Sequence, residues 1–198
     1  MSNREKHAQI KRKNITKNAI KLFKKNGYND VKVTDICKAA NISLGTFYHY
    51  YSSKDSIIDD IYQSIDDLVV EKINAMVFSS PITKLISILE QAVCIMQDEL
   101  GFIFMSKSYY HIIHSKPDYS FSHERKIYCL LKSCAIEGIE HGCFEKNTDP
   151  DEIAQMCLRI GRGDIIDWGL RDGSYKLCDL VVRDLKLMLH SLINCDMP

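Results

Sequence analysis

The chain has 198 residues, 45% of them apolar, with 26 Lys/Arg balanced by 26 Asp/Glu; that content suits one large folded domain or two modest ones and is not the bias of a disordered chain. No apolar run is long enough to span a bilayer and the opening "MSNREKHAQIKRKN" is not a secretory leader, so a soluble, cytoplasmic protein is expected. The balance hides a division: residues 1–54 hold twelve bases against three acids and residues 55–198 fourteen against twenty-three, as in a polyanion-binding segment joined to a part with another task, although a solvated lysine-rich helix gives the same count.

Helical periodicity runs throughout with no period-two strand, which predicts an all-α fold of about nine helices. The first spans 5–26, with Ile15, Ala19, Leu22 and Phe23 on one face, and stops at "KKNG", where Gly27 can take a positive φ. A short second helix covers 33–40, with Val33, Ile36 and Ala40 inward. In "NIS", Asn41 tolerates positive φ, Ile42 plugs the core and Ser43 caps a third helix from Leu44. Short helix, short turn, short helix is a helix-turn-helix.

At 100° per residue, the third helix puts Phe47 and Tyr51 on one inward face with Leu44 beside them. Gly45, Thr46, His49 and Tyr50 fall opposite, with Tyr48 at the flank. Such an outward set suits a helix lying close to something polar, and a DNA major groove admits one helix. Gly45 and Thr46 are then placed for base edges, and Ser43, Tyr48, Tyr50 and Lys54 for phosphates. The competing reading packs all four rings into a small bundle. Beyond "SSKDS", where Ser52 or Ser53 caps the chain's next start, helices are expected at about 54–77, 82–99, 101–115, 118–141, 150–172 and 175–194, punctuated by Pro81, Pro117 and Pro150.

The stretch "GYNDVKVTDICKAANISLGTFYHYYSSKDSI" resembles the helix-turn-helix signature of the TetR family of bacterial transcriptional regulators. The resemblance covers about fifty residues. It implies a three-helix DNA-binding domain, residues 1–53, followed by a helical ligand-binding and dimerisation domain, residues 54–198. The implied function is a ligand-released repressor that binds a pseudo-palindromic operator as a homodimer, with an unknown small-molecule effector. Its DNA-binding residues would be Lys32, Thr34, Ser43, Leu44, Gly45, Thr46, Tyr48, His49, Tyr50 and Lys54. Three positions depart from the family's common pattern: Lys32 replaces a capping Thr or Ser, Asn41 a turn glycine, and Leu44 a Lys or Gln. Leu44 puts an apolar side chain where a base-reading donor is common, so the operator cannot be borrowed from relatives.

The later sequence resembles the family less. Met96, Phe102, Met105, Tyr109, Tyr110, Ile113 and Tyr128 supply the apolar and aromatic make-up of a small-molecule pocket, though each also reads as core. The last helix carries an apolar band too wide for one-sided burial, and because the resemblance implies that the last two helices meet those of a twin subunit, Ile160, Asp164, Trp168, Val181, Leu185, Met188 and Leu192 are assigned to the dimer interface. "IGRGDI" lacks the third glycine and preceding strand of a nucleotide loop and reads as close helix packing. His111, His114, His123 and Glu124 make no compact ligand set, so no metal or other cofactor is expected. The eight cysteines lack C-x-x-C pairing and read mainly as small buried hydrophobes, with a thiol sensor at Cys129 and Cys134 as the alternative. No nucleophile and base pair or carboxylate dyad suggests an enzyme. The rival functions are a protein–protein adaptor on the same fold and a redox- or metal-responsive regulator.

Overall fold

A computed structural model describes residues 2–115 and 118–192, with side chains outside 106–118. All regular structure among the described residues is helical: α1 Asn3–Asn26, α2 Val33–Ala40, α3 Leu44–Tyr50, α4 Ile57–Asn74, α5 Pro81–Ser115, α6 Asp118–Phe121, α7 Lys126–Glu140, α8 Pro150–Leu170 and α9 Leu177–His190. The chain divides into two compact units, residues 1–64 with 97–121 and residues 65–96 with 122–198.

Local chemistry sets the boundaries of the first elements. Ser2 accepts from the Glu5 N–H and Glu5 returns a bond to the Ser2 N–H, a reciprocal cap on α1. The helix ends at Gly27, whose φ of 82° most side chains avoid. Asn41 sits in the left-handed region at φ 53°, ψ 55°, so the chain turns out of α2 as the sequence predicts. Ser53 and Ser56 exchange bonds across the turn before α4, which starts at Ile57, three residues later than expected.

In the first unit α1, α2 and α3 close over Ile15, Ala19, Phe23, Ile36, Phe47 and Tyr51, with Ile57, Ile58 and Ile61 of α4 beneath. Phe23 packs on Tyr28 and Phe104, with ring centres 4.9 and 5.6 Å apart. Gly101, at φ 75°, breaks the helical backbone of α5 where two separate helices were expected.

The second unit is built from the later part of α4, the earlier part of α5, and α7, α8 and α9, around residues such as Leu85, Leu131, Cys157, Trp168 and Leu185. A Cβ at Gly161 would meet Leu89 at 3.2 Å, which supports close packing as the reason for that glycine. The expected helix over 118–141 is instead two, α6 and α7. Arg125, immediately before α7, pairs with Asp66: both are almost wholly buried, with Nη2 3.1 Å from Oδ1, and the same carboxylate accepts from the Ile127 N–H at 3.3 Å. This long-range pair fixes where α7 starts.

Replacing Asp66 by Ala removes the carboxylate that faces the buried Arg125 guanidinium and is expected to cost about 3–5 kcal/mol in urea denaturation. Lys126→Ala, which breaks the exposed neighbouring pair with Asp67, should cost about 1 kcal/mol or less.

Candidate nucleic-acid interface

The third helix is short and held at both ends. At its start Ser43 Oγ accepts from the Thr46 N–H at 3.0 Å, and the two hydroxyls lie 2.8 Å apart. At its end Tyr51 is buried, donates to Asp60, and lies 3.1 Å by its hydroxyl from Thr16 Oγ1. Asp60 also receives Arg12 in a two-pronged pair, at 2.6 and 2.9 Å, while the guanidinium carbon sits 4.9 Å from the centre of the Tyr51 ring. Burial, reinforced by the bond to Asp60, pushes the Tyr51 phenol well above its usual range, and the Asp60 bond raises Arg12. The network stays formed across physiological pH, tying α3 to α1 and α4.

The outward face follows from this anchoring. Phe47 is fully buried, as the helical spacing predicts, whereas Tyr48 is 53% and Leu44 46% exposed. Lys32, Thr34, Ser43, Gly45 and His49 are exposed, and Thr46 and Tyr50 half-exposed. Leu44, the first residue of α3, is exposed rather than packed beside Phe47, in keeping with its place among the expected DNA-binding residues. A Cβ added at Gly45 would meet only Ser43 Oγ, at 3.9 Å, so no internal packing requires a glycine there. Lys32 caps α2 through its main chain, its N–H donating to Asp35 at 2.8 Å, which leaves the ammonium in solvent.

Lys54 is placed differently from the expected phosphate contact. Its ammonium donates to the Tyr28 and Val31 carbonyls at 2.7 and 2.9 Å and lies 4.3 Å from the Tyr28 ring centre. Burial lowers its pKa. It fastens the connection between α1 and α2, and the sequence had no local sign of this because its partners lie 26 and 23 residues away. Arg12, Thr16 and Asp60 were missed for the same reason; their only trace was a polar pair four residues apart beside the apolar face of α1.

The expected pocket residues divide between the units. Met96 and Tyr128 are buried in the second, and Met105 is buried and Phe102 half-buried in the first. Tyr128 donates to Asp151 and stacks on His123 at 4.7 Å. The side chains of Tyr109, Tyr110 and Ile113, like those of His111 and His114, lie outside the described residues. Of the expected interface residues, Asp164, Trp168, Val181 and Leu185 are already buried by their own chain, so they cannot form the outer surface. Ile160, Met188 and Leu192 are half-buried. The exposed large apolar residues of α8 and α9 are Ile166, Leu170 and Leu187; on α8, Gly163 comes about one turn before Ile166, and its Cβ position is open.

Comparison with known proteins places the first three helices and the start of α4. Residues 15–61 match the family model described as bacterial regulatory proteins, tetR family. The chain is 38% identical over 61 residues to the HTH-type transcriptional regulator UidR of Escherichia coli, a match spanning 31% of each chain, so it covers less than a third of that relative's length. It is 23% identical over 188 residues to the HTH-type transcriptional repressor KstR2 of Rhodococcus jostii, covering 89% of this chain and 88% of the relative. Among solved structures, Thermus thermophilus FadR, a repressor in complex with lauroyl-CoA, aligns over 94% of this chain and 97% of its own with a TM-score of 0.76 at 18% identity, a likeness of fold.

Asp164 yields a pH prediction. Burial first, and then the neighbouring Asp184 charge, push its carboxyl up to about 6, and its Oδ2 has no partner. The unfolded carboxyl ionises near ~4, so as pH rises through that window the folded state retains the proton longer and loses stability, with no further loss above about 6. Asp164→Asn should therefore melt higher than the parent at pH ~7.5 and close to it at pH ~4; an equal difference at both would contradict this.

Proposed function

We propose that this chain, whose residues 15–61 match the family model of bacterial regulatory proteins, tetR family, is an effector-released transcriptional repressor that binds a pseudo-palindromic operator as a homodimer. The observation that carries this reading is the outward face of α3: Leu44, Gly45, Tyr48 and His49 exposed on a helix fastened at both ends, with a glycine that the fold itself does not need. In the proposed complex the α3 N-terminus enters a major groove. Gly45 lets the backbone approach, Leu44 and the Thr46 methyl meet thymine methyls, and Ser43, Tyr48, Tyr50 and Lys32 take phosphates. Lys54 acts as a positioning residue through Tyr28 and Val31, with Thr34 and His49 at the flanks.

The second copy is proposed to pack on Ile166, Leu170 and Leu187, with Gly163 permitting close approach. Two α3 helices would then address half-sites about one turn, ~34–36 Å, apart. α4 and α5 each contribute residues to both units, and are the covalent route by which an effector favouring one conformer would weaken DNA binding. For the effector class, an acyl-CoA thioester is the first candidate, because FadR of Thermus thermophilus is in complex with lauroyl-CoA.

The reading is tested by selecting duplexes from a random pool with the purified protein and measuring affinity against salt. A selected two-fold site with a steep negative salt slope is expected; failure to enrich any sequence would favour an adaptor that keeps the fold. Gly45→Ala should leave the fold as stable or up to about 1 kcal/mol more so, yet weaken the selected site by ten-fold or more. Leu44→Gln should shift the preferred base at one position per half-site, with a discrimination of about 1–3 kcal/mol. Lauroyl-CoA should weaken operator binding by about 5–150-fold; no effect would remove that effector class and leave the DNA reading intact.

A further inference from the structure

Cys94 on α5 and Cys178 on α9 are joined in a disulfide, with their Cα atoms 5.9 Å apart and 84 residues between them in sequence. Both are half-buried rather than sealed in the core. The remaining described cysteines are differently placed. Cys37, Cys134, Cys143 and Cys157 are buried free thiols, and burial pushes Cys134 up to about 11 and Cys157 up to about 12, which keeps them protonated and inert. Cys129 is exposed, but its thiol faces the His123 carbonyl at 3.4 Å. Of the two residues behind the thiol-sensor alternative, Cys134 is therefore buried and Cys129 exposed.

We propose that Cys94 and Cys178 are a reversible thiol-oxidation site, at which a low-molecular-weight disulfide installs the crosslink between α5 and α9 and thereby changes operator affinity. Cys178 lies in the first turn of α9, after Lys176, where free main-chain N–H groups favour negative charge. Its thiolate attacks one sulfur of the small disulfide, giving a mixed disulfide and releasing one small thiol. Cys94 then loses its proton and attacks the Cys178 sulfur, releasing the second small thiol. Two protein thiols give up two electrons and two protons, and the small disulfide takes up both.

The crosslink has a structural reach that a surface disulfide would lack. Cys94 stands three positions before Gln97, where α5 passes from the second unit into the first, and α9 supplies Leu187 to the proposed dimer face. Joining them fixes the spacing of the helix that continues into the first unit and a helix of the subunit contact. The effect on operator affinity rests on the repressor reading, whereas the thiol chemistry does not.

The test equilibrates the full-length protein in glutathione buffers of increasing disulfide fraction, traps thiols by alkylation and maps peptides by mass spectrometry. Cys94 and Cys178 should lose reactivity together in one two-electron step, as a linked peptide pair, while Cys134 and Cys157 stay unchanged. Cys94→Ser or Cys178→Ser should abolish that step, with helical content checked by circular dichroism; the wild-type titration stands without them. On the selected duplex, the two wild-type forms should differ at least five-fold in affinity and the Cys94→Ser form should not respond. Independent alkylation of the two cysteines, or pairing with others, overturns the site. A linked pair with equal affinity in both forms overturns its regulatory role, and a linked pair in a protein that binds no duplex does so while also sinking the repressor reading.

Discussion

The first unit depends on one buried polar knot. Tyr51 closes α3 and gives its hydroxyl to Asp60 on α4, Thr16 on α1 lies 3.1 Å from the same hydroxyl, and Arg12 holds Asp60 from the other side. A seven-residue helix is too short to be stable by itself, so α3 exists as a rigid element only because its neighbours fix its far end while Ser43 caps the near one. A partly satisfied knot would leave an acid stranded at low dielectric; with each group engaged, the knot makes the orientation of α3 definite. The outward residues are therefore presented by a fixed backbone, which is what sequence reading in a groove requires.

The uneven charge fits the same division of labour. The bases of α1 and the exposed ammonium of Lys32 lie in the same N-terminal unit as α3, while Lys54 has turned inward to hold the connection between α1 and α2. The second unit holds its own buried charge as the Asp66 and Arg125 pair, and an unpartnered carboxyl oxygen at Asp164. Such groups trade stability for a definite arrangement or a sensitivity to conditions.

How much was legible in the sequence depended on distance along the chain. Ser43 and Asn41 act within a turn of themselves, and the four-residue spacing of Phe47 and Tyr51 predicts their shared buried face, though not the partners of the Tyr51 hydroxyl. Periodicity alone set Leu44 beside Phe47, but it is exposed, as suits the DNA-binding position that the resemblance gives it. The break between α6 and α7 comes from Asp66, 59 residues upstream of Arg125, and the crosslink joins cysteines 84 apart; no local window contains either. The interface residues show a different limit: an apolar stripe marks a face to be covered, but not whether the cover is the same chain or a second copy. On α8 and α9 the widest stripe turned out to be the interior.

The central claim is that α3 reads the major groove. Methylation interference at guanine N7, which lies in that groove, tests it most directly on a selected duplex. The account predicts that methylation blocks binding in two patches about one helical turn apart, related by the two-fold of the site, with Gly45→Ala weakening binding while leaving that pattern in place. Binding indifferent to N7 methylation throughout the site, or blocked only by modification in the minor groove, would contradict it.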